Sequence, residues 1–344
     1  MGSEMCIRDR MKFGASVSSY TTTWDTIRSA IQTMESGRWE SIWFPDHFIP
    51  PAAWKGAEDQ PIFESWSLLA AVAGMTDKLR MGHMVNGNTY RNPGLVAKMA
   101  TTIDQISKGR FTLSHGAAWF QREHEAYGWD YPSLRERSDR FEESCALIRE
   151  LFSSDKPVDF QGKYYRLENA PLSPKSVQSP HIPIMVGGMG EKRTLRTLAK
   201  YGDIWNLDGF AVGRPEIAEK GGMSLDLYEH KVNVIKKHCD DVGRDPSEIK
   251  FTISMPTKLS SDDGETSEFI QRVGPGTVAG TRDYIIERVG EFVEAGVDEI
   301  MFSPRPSDRE SLQELDEEVP VSYTHLRAPE TSLHLVCRRL REKK

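Results

Sequence analysis

Long apolar runs, paired cysteines and an excess of basic residues are all missing from this 344-residue chain. No stretch approaches the roughly 18 consecutive apolar residues of a membrane-spanning helix, so we expect no membrane span. The chain has four cysteines. The two within the domain assigned below indicate a reducing compartment and no disulfide framework, and we expect the cytoplasm. The net charge of −7 disfavours nucleic acid as a partner. We expect an enzyme or a binding protein with a small-molecule ligand.

The two ends of the chain have the character of sequencing-adapter read-through. One DNA segment that encodes residues 4–9, EMCIRD, has a reverse complement that encodes VSYTHL, which is the sequence of residues 321–326. We therefore assign residues 1–10 and 321–344 as adapter-like additions and residues 11–320 as the protein domain. This assignment sets aside two of the four cysteines and leaves Cys145 and Cys239.

Eight short apolar runs alternate with segments of helical periodicity through the domain. The runs cover residues 12–17, 41–44, 79–85, 110–114, 182–186, 203–207, 249–255 and 298–302. Eight strand–helix units with short connections predict a closed (β/α)8 TIM barrel. The longer connection at about residues 156–180 contains FQGKYYRLENAPL, and it predicts a small hairpin inserted before the fifth strand. In the helix that Asn92-Pro93 begins, the predicted buried face consists of Leu95, Met99, Ile103 and Ile106.

In such a barrel the active site lies at the carboxyl ends of the strands. Three histidines, His47, His83 and His115, follow or end strands two, three and four and are expected to converge there. His47 beside Asp46 is the functional candidate among them. We call the carboxyl ends of the eight strands the barrel mouth. A metal site is not expected there, because the ligands of a zinc barrel must cluster on several strand ends and strand one supplies only serines. We expect Glu123-His124-Glu125 to form a solvated helix face, with His124 capping the helix or pairing with a neighbour.

The stretch PIMVGGMGEKRTLRTLAKYGDIW, residues 183–205, is the most informative of the chain. A strand that ends in glycines and begins a helix directs free backbone N–H groups and the positive end of the helix dipole at one point. This geometry suits a phosphate group. A glycine-rich turn required only for packing is the alternative, and the residue types alone leave both interpretations open.

Several longer motifs resemble the luciferase-like monooxygenase superfamily. They are FPDHF at 44–48, NTYRNPGLVAKMATTIDQISKGR at 88–110, GAAWFQREHEAYG at 116–128, PHIPIMVGGMGEKRTLRTLAKYGDIWN at 180–206 and VAGTRDYIIERVGEFVEAGVDEI at 278–300. Within the superfamily, the pattern is most similar to the branch of coenzyme F420-dependent oxidoreductases. The resemblance extends over residues 11–320 and implies the same barrel, with the insertion before strand five forming part of a lid.

The resemblance also implies a set of cofactor-binding residues, for coenzyme F420 or, as in close relatives, FMN. Gly187, Gly188, Met189 and Gly190 match the loop whose amides hold the cofactor phosphate, and Thr194 adds a hydroxyl. Met84-Val85 matches a non-prolyl cis peptide that presses on the central cofactor ring. The neighbouring strand ends add Asn86, Gly116 and Ala117.

Asp46 and His47 match the pair beside the reactive face of the cofactor. In members that oxidise alcohols, the histidine takes the hydroxyl proton as hydride moves to the deazaflavin. The resemblance also implies a departure at Trp119, because relatives that oxidise sugar phosphates carry an acidic residue at this position. An indole cannot deliver a proton as a carboxylic acid does, and Glu123 or His124 is the alternative proton donor. The basic cluster that a sugar phosphate needs is not evident, since Arg91, Arg122, Arg193 and Arg305 belong to different loops.

Three functions remain as expectations. The leading one is hydride transfer between F420 and a small organic substrate. The second is an FMN-dependent monooxygenase that uses reduced flavin and oxygen, and the third is a non-catalytic cofactor carrier. As in relatives of this superfamily, we expect a homodimer formed through outer helices.

Overall fold

The computed structural model describes residues 11–51, 59–210 and 223–319. Its strands are β1 Lys12–Ser16, β2 Ser41–Phe44, β3 Arg80–His83, β4 Asn86–Gly87, β5 Phe111–Gly116, β6 Val158–Gln161, β7 Arg166–Ala170, β8 Ile184–Gly187, β9 Ile204–Asp208, β10 Lys250–Leu259, β11 Val278–Gly280 and β12 Glu299–Pro304. Eight of them form a closed parallel barrel in the order β1, β2, β3, β5, β8, β9, β10 and β12. β12 pairs back to β1 with Gly14 opposite Met301. The predicted barrel is confirmed, since each predicted run coincides with one of these strands.

Helices surround this barrel. Those of the described residues are α1 Trp24–Ser36, α2 Ser65–Met75, α3 Pro93–Ile106, α4 Gln121–Tyr127, α5 Leu134–Ser153, α6 Thr194–Tyr201, α7 Leu225–Val242, α8 Asp263–Val273, α9 Arg282–Glu294 and α10 Arg309–Glu318. None of them is both long enough and apolar enough to cross a bilayer. The adapter-like ends predicted at 1–10 and 321–344 lie outside the described residues.

The predicted insertion before the fifth barrel strand is confirmed as a hairpin. β6 and β7 pair in antiparallel fashion, with Val158 opposite Ala170. Val158 is buried, and Phe160 packs partly buried against the same core. The hairpin therefore rests on the outer core of the barrel rather than forming a separate domain.

The start of α3 is confirmed, but its predicted buried face is wrong. Asn92 caps the helix by accepting a hydrogen bond from the Gly94 amide at 2.9 Å, and Pro93 is the first helical residue. However, Leu95 and Ile106 are 52% and 45% exposed. The buried stripe instead includes Val96, Ala97, Ala100 and Ile103. The helix packs through these smaller residues because it lies close to β5 and between α2 and α5.

The barrel interior is filled by a small apolar cluster. Trp43, Met185 and Met301 are buried there, and Met84 and Val85 pack against them. Because side chains fill the interior, the barrel is a packed core and not a pore. This cluster forms an apolar floor beneath the carboxyl ends of the strands, where the candidate site lies.

Candidate active site

A histidine and a carboxylate form a pair at the carboxyl end of the barrel. His47 follows β2, and Glu123 lies in α4, which follows β5. The His47 Nδ1 atom is 3.1 Å from both carboxylate oxygens of Glu123. The His47 side chain is 12% exposed, and among the described residues its Nε2 atom has no hydrogen-bond partner. One ring nitrogen is therefore anchored while the other is available to a ligand.

Glu123 is held as a carboxylate although it is buried. It accepts hydrogen bonds from the Ile49 amide at 3.0 Å, the Phe48 amide at 2.5 Å and the Tyr90 hydroxyl at 2.6 Å. Burial alone would raise the pKa of Glu123, but His47, Tyr90 and the Ile49 amide outweigh it and hold the pKa below its usual value. An ionised carboxylate only accepts hydrogen bonds, so the proton in this pair belongs on Nδ1 of His47. In the neutral imidazole, Nε2 is then the proton acceptor.

The prediction of a solvated helix face at residues 123–125 is wrong. Glu123 and His124 are both 0% exposed, while Glu125 is exposed. His124 is held by Thr89 Oγ1 at 2.7 Å from Nε2 and by the Phe120 carbonyl at 2.9 Å from Nδ1. The backbone after β2 has two amides, those of Phe48 and Ile49, that need a hydrogen-bond acceptor. The Glu123 carboxylate on the short helix α4 is that acceptor. Only the position of α4 directly after a barrel strand hinted at this role.

Asp46, the sequence neighbour of His47, is enclosed by hydrogen-bond donors. Its side chain accepts from Ser65 Oγ at 2.7 Å, from the Gly87 amide at 2.9 Å and from both terminal nitrogens of Arg91 at 2.8 and 3.0 Å. Asp46 is 2% exposed. Burial opposes its ionisation, yet the charge of Arg91 and the hydrogen bonds from Arg91 and the Gly87 amide hold the pKa of Asp46 below its usual value. Its carboxylate thus joins the ends of β2 and β4 and has no oxygen left over for a ligand.

The side chain of Asn86 is similarly engaged within the protein. Its Oδ1 accepts from Trp66 Nε1 at 3.0 Å and from Arg91 at 3.3 Å. Its Nδ2 lies 2.7 Å from His115 Nδ1. Only the backbone of Asn86 is left to contact a cofactor at the position predicted for it.

The prediction that three histidines converge on the mouth is wrong, because two of them are buried. His83 is 0% exposed, and both of its ring nitrogens lack a partner among the described residues. Its ring lies 4.4 Å from that of Trp66. His115 is 1% exposed and bonds Asn86, Asn88 and Ser144. Burial lowers the pKa of His83 to about 3 and that of His115 to about 4, so both are neutral near pH 7.

The peptide bond between Met84 and Val85 is cis, at the position that the resemblance implied. The Val85 side chain lies between two of the predicted glycines. A Cβ atom at Gly116 would lie 2.8 Å, and one at Gly187 2.6 Å, from a Val85 methyl carbon. These glycines therefore make room for the bulge at the centre of the mouth, with Ala117 half-buried beside them.

The glycine turn after β8 leads directly into the N-terminus of α6. Gly188 has a φ of +123°, and its carbonyl accepts from Trp205 Nε1 at 2.9 Å. In the described part of the chain, the Met189 and Gly190 amides donate no hydrogen bond. A Cβ atom on Gly190 would lie 2.8 Å from the Oγ1 atom of Thr194, the first residue of α6. Free amides, a hydroxyl and a helix N-terminus thus fit a cofactor phosphate.

Two aromatic rings line the approach to His47. The Trp119 ring lies 5.6 Å from the imidazole and the Phe120 ring 5.9 Å, both edge-on. Trp119 is 52% exposed, so its indole lies between solvent and the His47 ring. Within the described ranges, no three His, Cys, Asp or Glu side chains lie close enough to share a metal ion.

These features define a (β/α)8 barrel whose mouth carries a histidine–carboxylate pair, an apolar bulge and a phosphate-type turn. The chain belongs to the luciferase-like monooxygenase family, whose model matches residues 7–273. It is 30% identical over 242 residues to an F420-dependent glucose-6-phosphate dehydrogenase of Amycolatopsis mediterranei, which is 69% of this chain and 65% of that protein. It is 32% identical over 142 residues to pyrimidine monooxygenase RutA of Allorhizobium ampelinum, or 41% of this chain and 37% of that protein.

A solved structure supports the fold. An F420-dependent secondary alcohol dehydrogenase, in complex with an F420-acetone adduct, superimposes with a TM-score of 0.76 at 20% identity. The superposition covers 90% of this chain and 98% of that one. At this identity, the likeness establishes the shared barrel.

Proposed function

We propose that this chain is a coenzyme F420-dependent oxidoreductase that transfers a hydride between the deazaflavin and a small organic substrate. The observation that carries this proposal is the His47–Glu123 pair at the barrel mouth, with a nitrogen free to exchange a proton. Similarity to an F420-dependent dehydrogenase over 242 residues supports the choice of cofactor.

The cofactor would be held by residues at the barrel mouth that suit its phosphate group and its ring. The turn at Gly187–Gly190, with Thr194, would bind the phosphate through its free amides and hydroxyl. Val85, beside Gly116 and Ala117, would support the ring from the barrel floor, and Asn86 would contribute its backbone. When bound, the deazaflavin supplies a carbon that accepts or releases hydride.

His47 would exchange the substrate proton. In the oxidising direction, the O–H bond of an alcohol would break and its proton would pass to Nε2, while the hydride of the adjacent carbon would pass to the bound deazaflavin, so that a carbonyl would form. In the reducing direction, Nε2–H returns the proton to the carbonyl oxygen. Glu123 keeps Nδ1 protonated and stabilises the imidazolium once it forms. Asp46 acts as a positioning residue, because it fixes the backbone that carries His47.

An FMN-dependent monooxygenase is the second candidate, and the similarity to pyrimidine monooxygenase RutA supports it. Titrating the purified chain with F420 and with reduced FMN separates the two. Retention of F420, with turnover of an alcohol or ketone, supports the proposal. Selective retention of reduced FMN with oxygen-dependent turnover contradicts it. Tight F420 binding without turnover across a broad substrate panel supports a cofactor carrier instead.

We also propose a homodimer formed through outer helices, in the cytoplasm. The exposed apolar side chains of Leu95 and Ile106 on α3 support the interface. The free, buried thiols of Cys145 and Cys239 support a reducing compartment. Light scattering measures the mass of the purified chain in solution and so tests the dimer. The double variant Leu95→Glu with Ile106→Glu, which places charges on the proposed interface, should be monomeric.

A further inference from the structure

A buried arginine at the end of β12 has no anionic partner in the described part of the chain. Arg305 is 8% exposed, and no carboxylate of the described residues lies within ion-pair distance of it. One terminal nitrogen donates to the Pro304 carbonyl at 2.9 Å, and Nε has no hydrogen-bond partner within the described ranges. Arg91 is buried to a similar degree, with a side chain 10% exposed, but it bonds the carboxylates of both Asp46 and Glu64.

The Arg305 side chain lies over the barrel mouth. Met301 belongs to the interior cluster, and side chains alternate along a strand, so Ser303 and Arg305 continue on the same inward side. The guanidinium carbon lies 5.4 Å from the Phe210 ring, which follows β9, two strands away from β12 in the barrel. Burial raises the pKa of Tyr20, beyond the end of β1, to about 12, while the charge of Arg305 acts to lower it. The guanidinium therefore lies beside a side chain that follows β9 and within electrostatic range of one that follows β1.

Burial of the Arg305 charge costs folding free energy unless a bound anion supplies a counter-charge. Burial lowers the pKa of Arg305, because removing a cation from water is unfavourable without a counter-charge. The buried hydroxyl of Ser303, on the inward side of the same strand, also lacks a partner among the described residues. Two polar groups without partners in the described residues, two positions apart in the chain, indicate a site for a polar ligand.

We propose that Arg305 binds a carboxylate or phosphate group carried by the substrate. This proposal rests on the proposed function and restricts the substrate to anionic alcohols or ketones. The guanidinium fork is suited to bidentate contacts with such oxyanions. Within the barrel, β12 is three strands from β8, so this anion site is separate from the glycine turn assigned to the cofactor phosphate.

The test measures the binding of small anions to the full chain without turnover. Acetate and inorganic phosphate, up to roughly 100 mM at constant ionic strength, are titrated while the melting temperature is recorded. The variant is Arg305→Gln, and the matched control is Arg309→Gln, an exposed arginine four residues further on. Because the glycine turn is a second phosphate site under the proposed function, the phosphate titrations are repeated in a Gly188→Ala background.

We expect at least one anion to raise the melting temperature of the wild type and of Arg309→Gln. Its affinity for Arg305→Gln should be at least tenfold weaker. A response to acetate identifies a carboxylate subsite, and a response to phosphate alone identifies a phosphate subsite. Without anions, Arg305→Gln should melt no lower than the wild type, because it removes an unpaired buried charge; an arginine with a purely structural role would cost stability.

The proposal is overturned if neither anion stabilises the wild type, or if Arg305→Gln responds as the wild type does. If Arg305→Gln does not fold, Arg305→Lys replaces it and should bind the anion about fivefold more weakly, because lysine lacks the planar fork. F420 binding, followed separately by fluorescence, should be unchanged by Arg305→Gln. Failure of the wild type to bind F420 would refute the proposed function. The anion titration would still decide whether Arg305 binds an anion, because it uses neither the cofactor nor turnover.

Discussion

The Nδ1 atom of His47 lies 3.1 Å from each carboxylate oxygen of Glu123, although 76 residues separate the two in the sequence. The carboxylate next to His47 in the chain, Asp46, is instead held by Arg91, Ser65 and Gly87. The two acidic residues thus have different roles. Glu123 orients the imidazole, and Asp46 fixes the backbone beside it.

Replacement of Glu123 by glutamine should lower kcat by roughly 10–100-fold, because an amide neither fixes the His47 tautomer nor stabilises the imidazolium. His47→Ala should abolish most turnover while F420 still binds. In the His47→Ala background, Glu123→Gln should have almost no further effect on kcat. Steady-state kinetics of the four proteins test this coupling. Independent, additive losses would show that Glu123 does not act through His47.

Loss of the Asp46 charge should destabilise the fold. Asp46→Asn leaves the buried guanidinium of Arg91 without its bidentate partner, and we expect a loss of about 3 kcal/mol in the free energy of unfolding. Glu64→Gln removes the other carboxylate that pairs with Arg91. The Glu64 side chain is 35% exposed, so this loss should lower the free energy of unfolding by about 1 kcal/mol or less. Urea unfolding measures both. Equal costs for the two variants would contradict the structural role assigned to Asp46.

The pKa of Asp46 also gives this contribution a pH dependence. Because the folded state holds the pKa below the value of 3.8 for a free aspartate, its stabilisation is present above that value. It is lost as the pH falls through the lower, folded-state pKa. The stability of Asp46→Asn should consequently lack this part of the acid transition.

Gly188→Ala should weaken F420 binding by at least tenfold. Its φ of +123° disfavours any residue with a Cβ atom, so the turn would have to change shape. Gly243→Ala is the control, since Gly243 has a φ of +73° at the end of α7 and nothing lies within 4 Å of an added Cβ. Fluorescence titration with F420 measures both. A comparable loss of affinity in Gly243→Ala would attribute the effect to general backbone strain and not to the phosphate turn.

The buried histidines should make the protein sensitive to acid. The pKa of His83 is about 3 in the folded state, against 6.5 for a free histidine. Between these values the unfolded chain binds a proton that the folded chain does not. Stability therefore falls as the pH falls, by about 1.4 kcal/mol per pH unit for each such proton.

His83→Phe should reduce the slope of stability against pH by the contribution of one proton, so that the contribution of His115 remains. It should also be neutral or stabilising at pH 7, because the ring nitrogens of His83 have no partners among the described residues. His230→Gln is the control, with a side chain 53% exposed. Denaturant unfolding from pH 7 to pH 4.5 provides the measurement. An unchanged pH slope in His83→Phe would contradict the assignment.

Local patterns in the sequence were sufficient to predict the barrel. The eight apolar runs coincide with its strands, Asn92 caps α3, and the glycine turn follows β8 as expected. Each of these features depends on residues close together in the chain, which set the backbone dihedrals and hydrogen bonds of one element. Helical spacing alone did not identify the buried face of α3, because the buried side also depends on which neighbouring helices it contacts.

The sequence by itself thus determined the order of strands and helices, the glycine turn and the place of His47 after a strand. Only the tertiary structure decided that Glu123 is its partner, that His83 and His115 are buried, and that no carboxylate of the described residues pairs with Arg305. These properties depend on contacts between segments far apart in the chain. Burial and charge pairing arise when such segments pack together, and no local pattern records which distant side chains will meet.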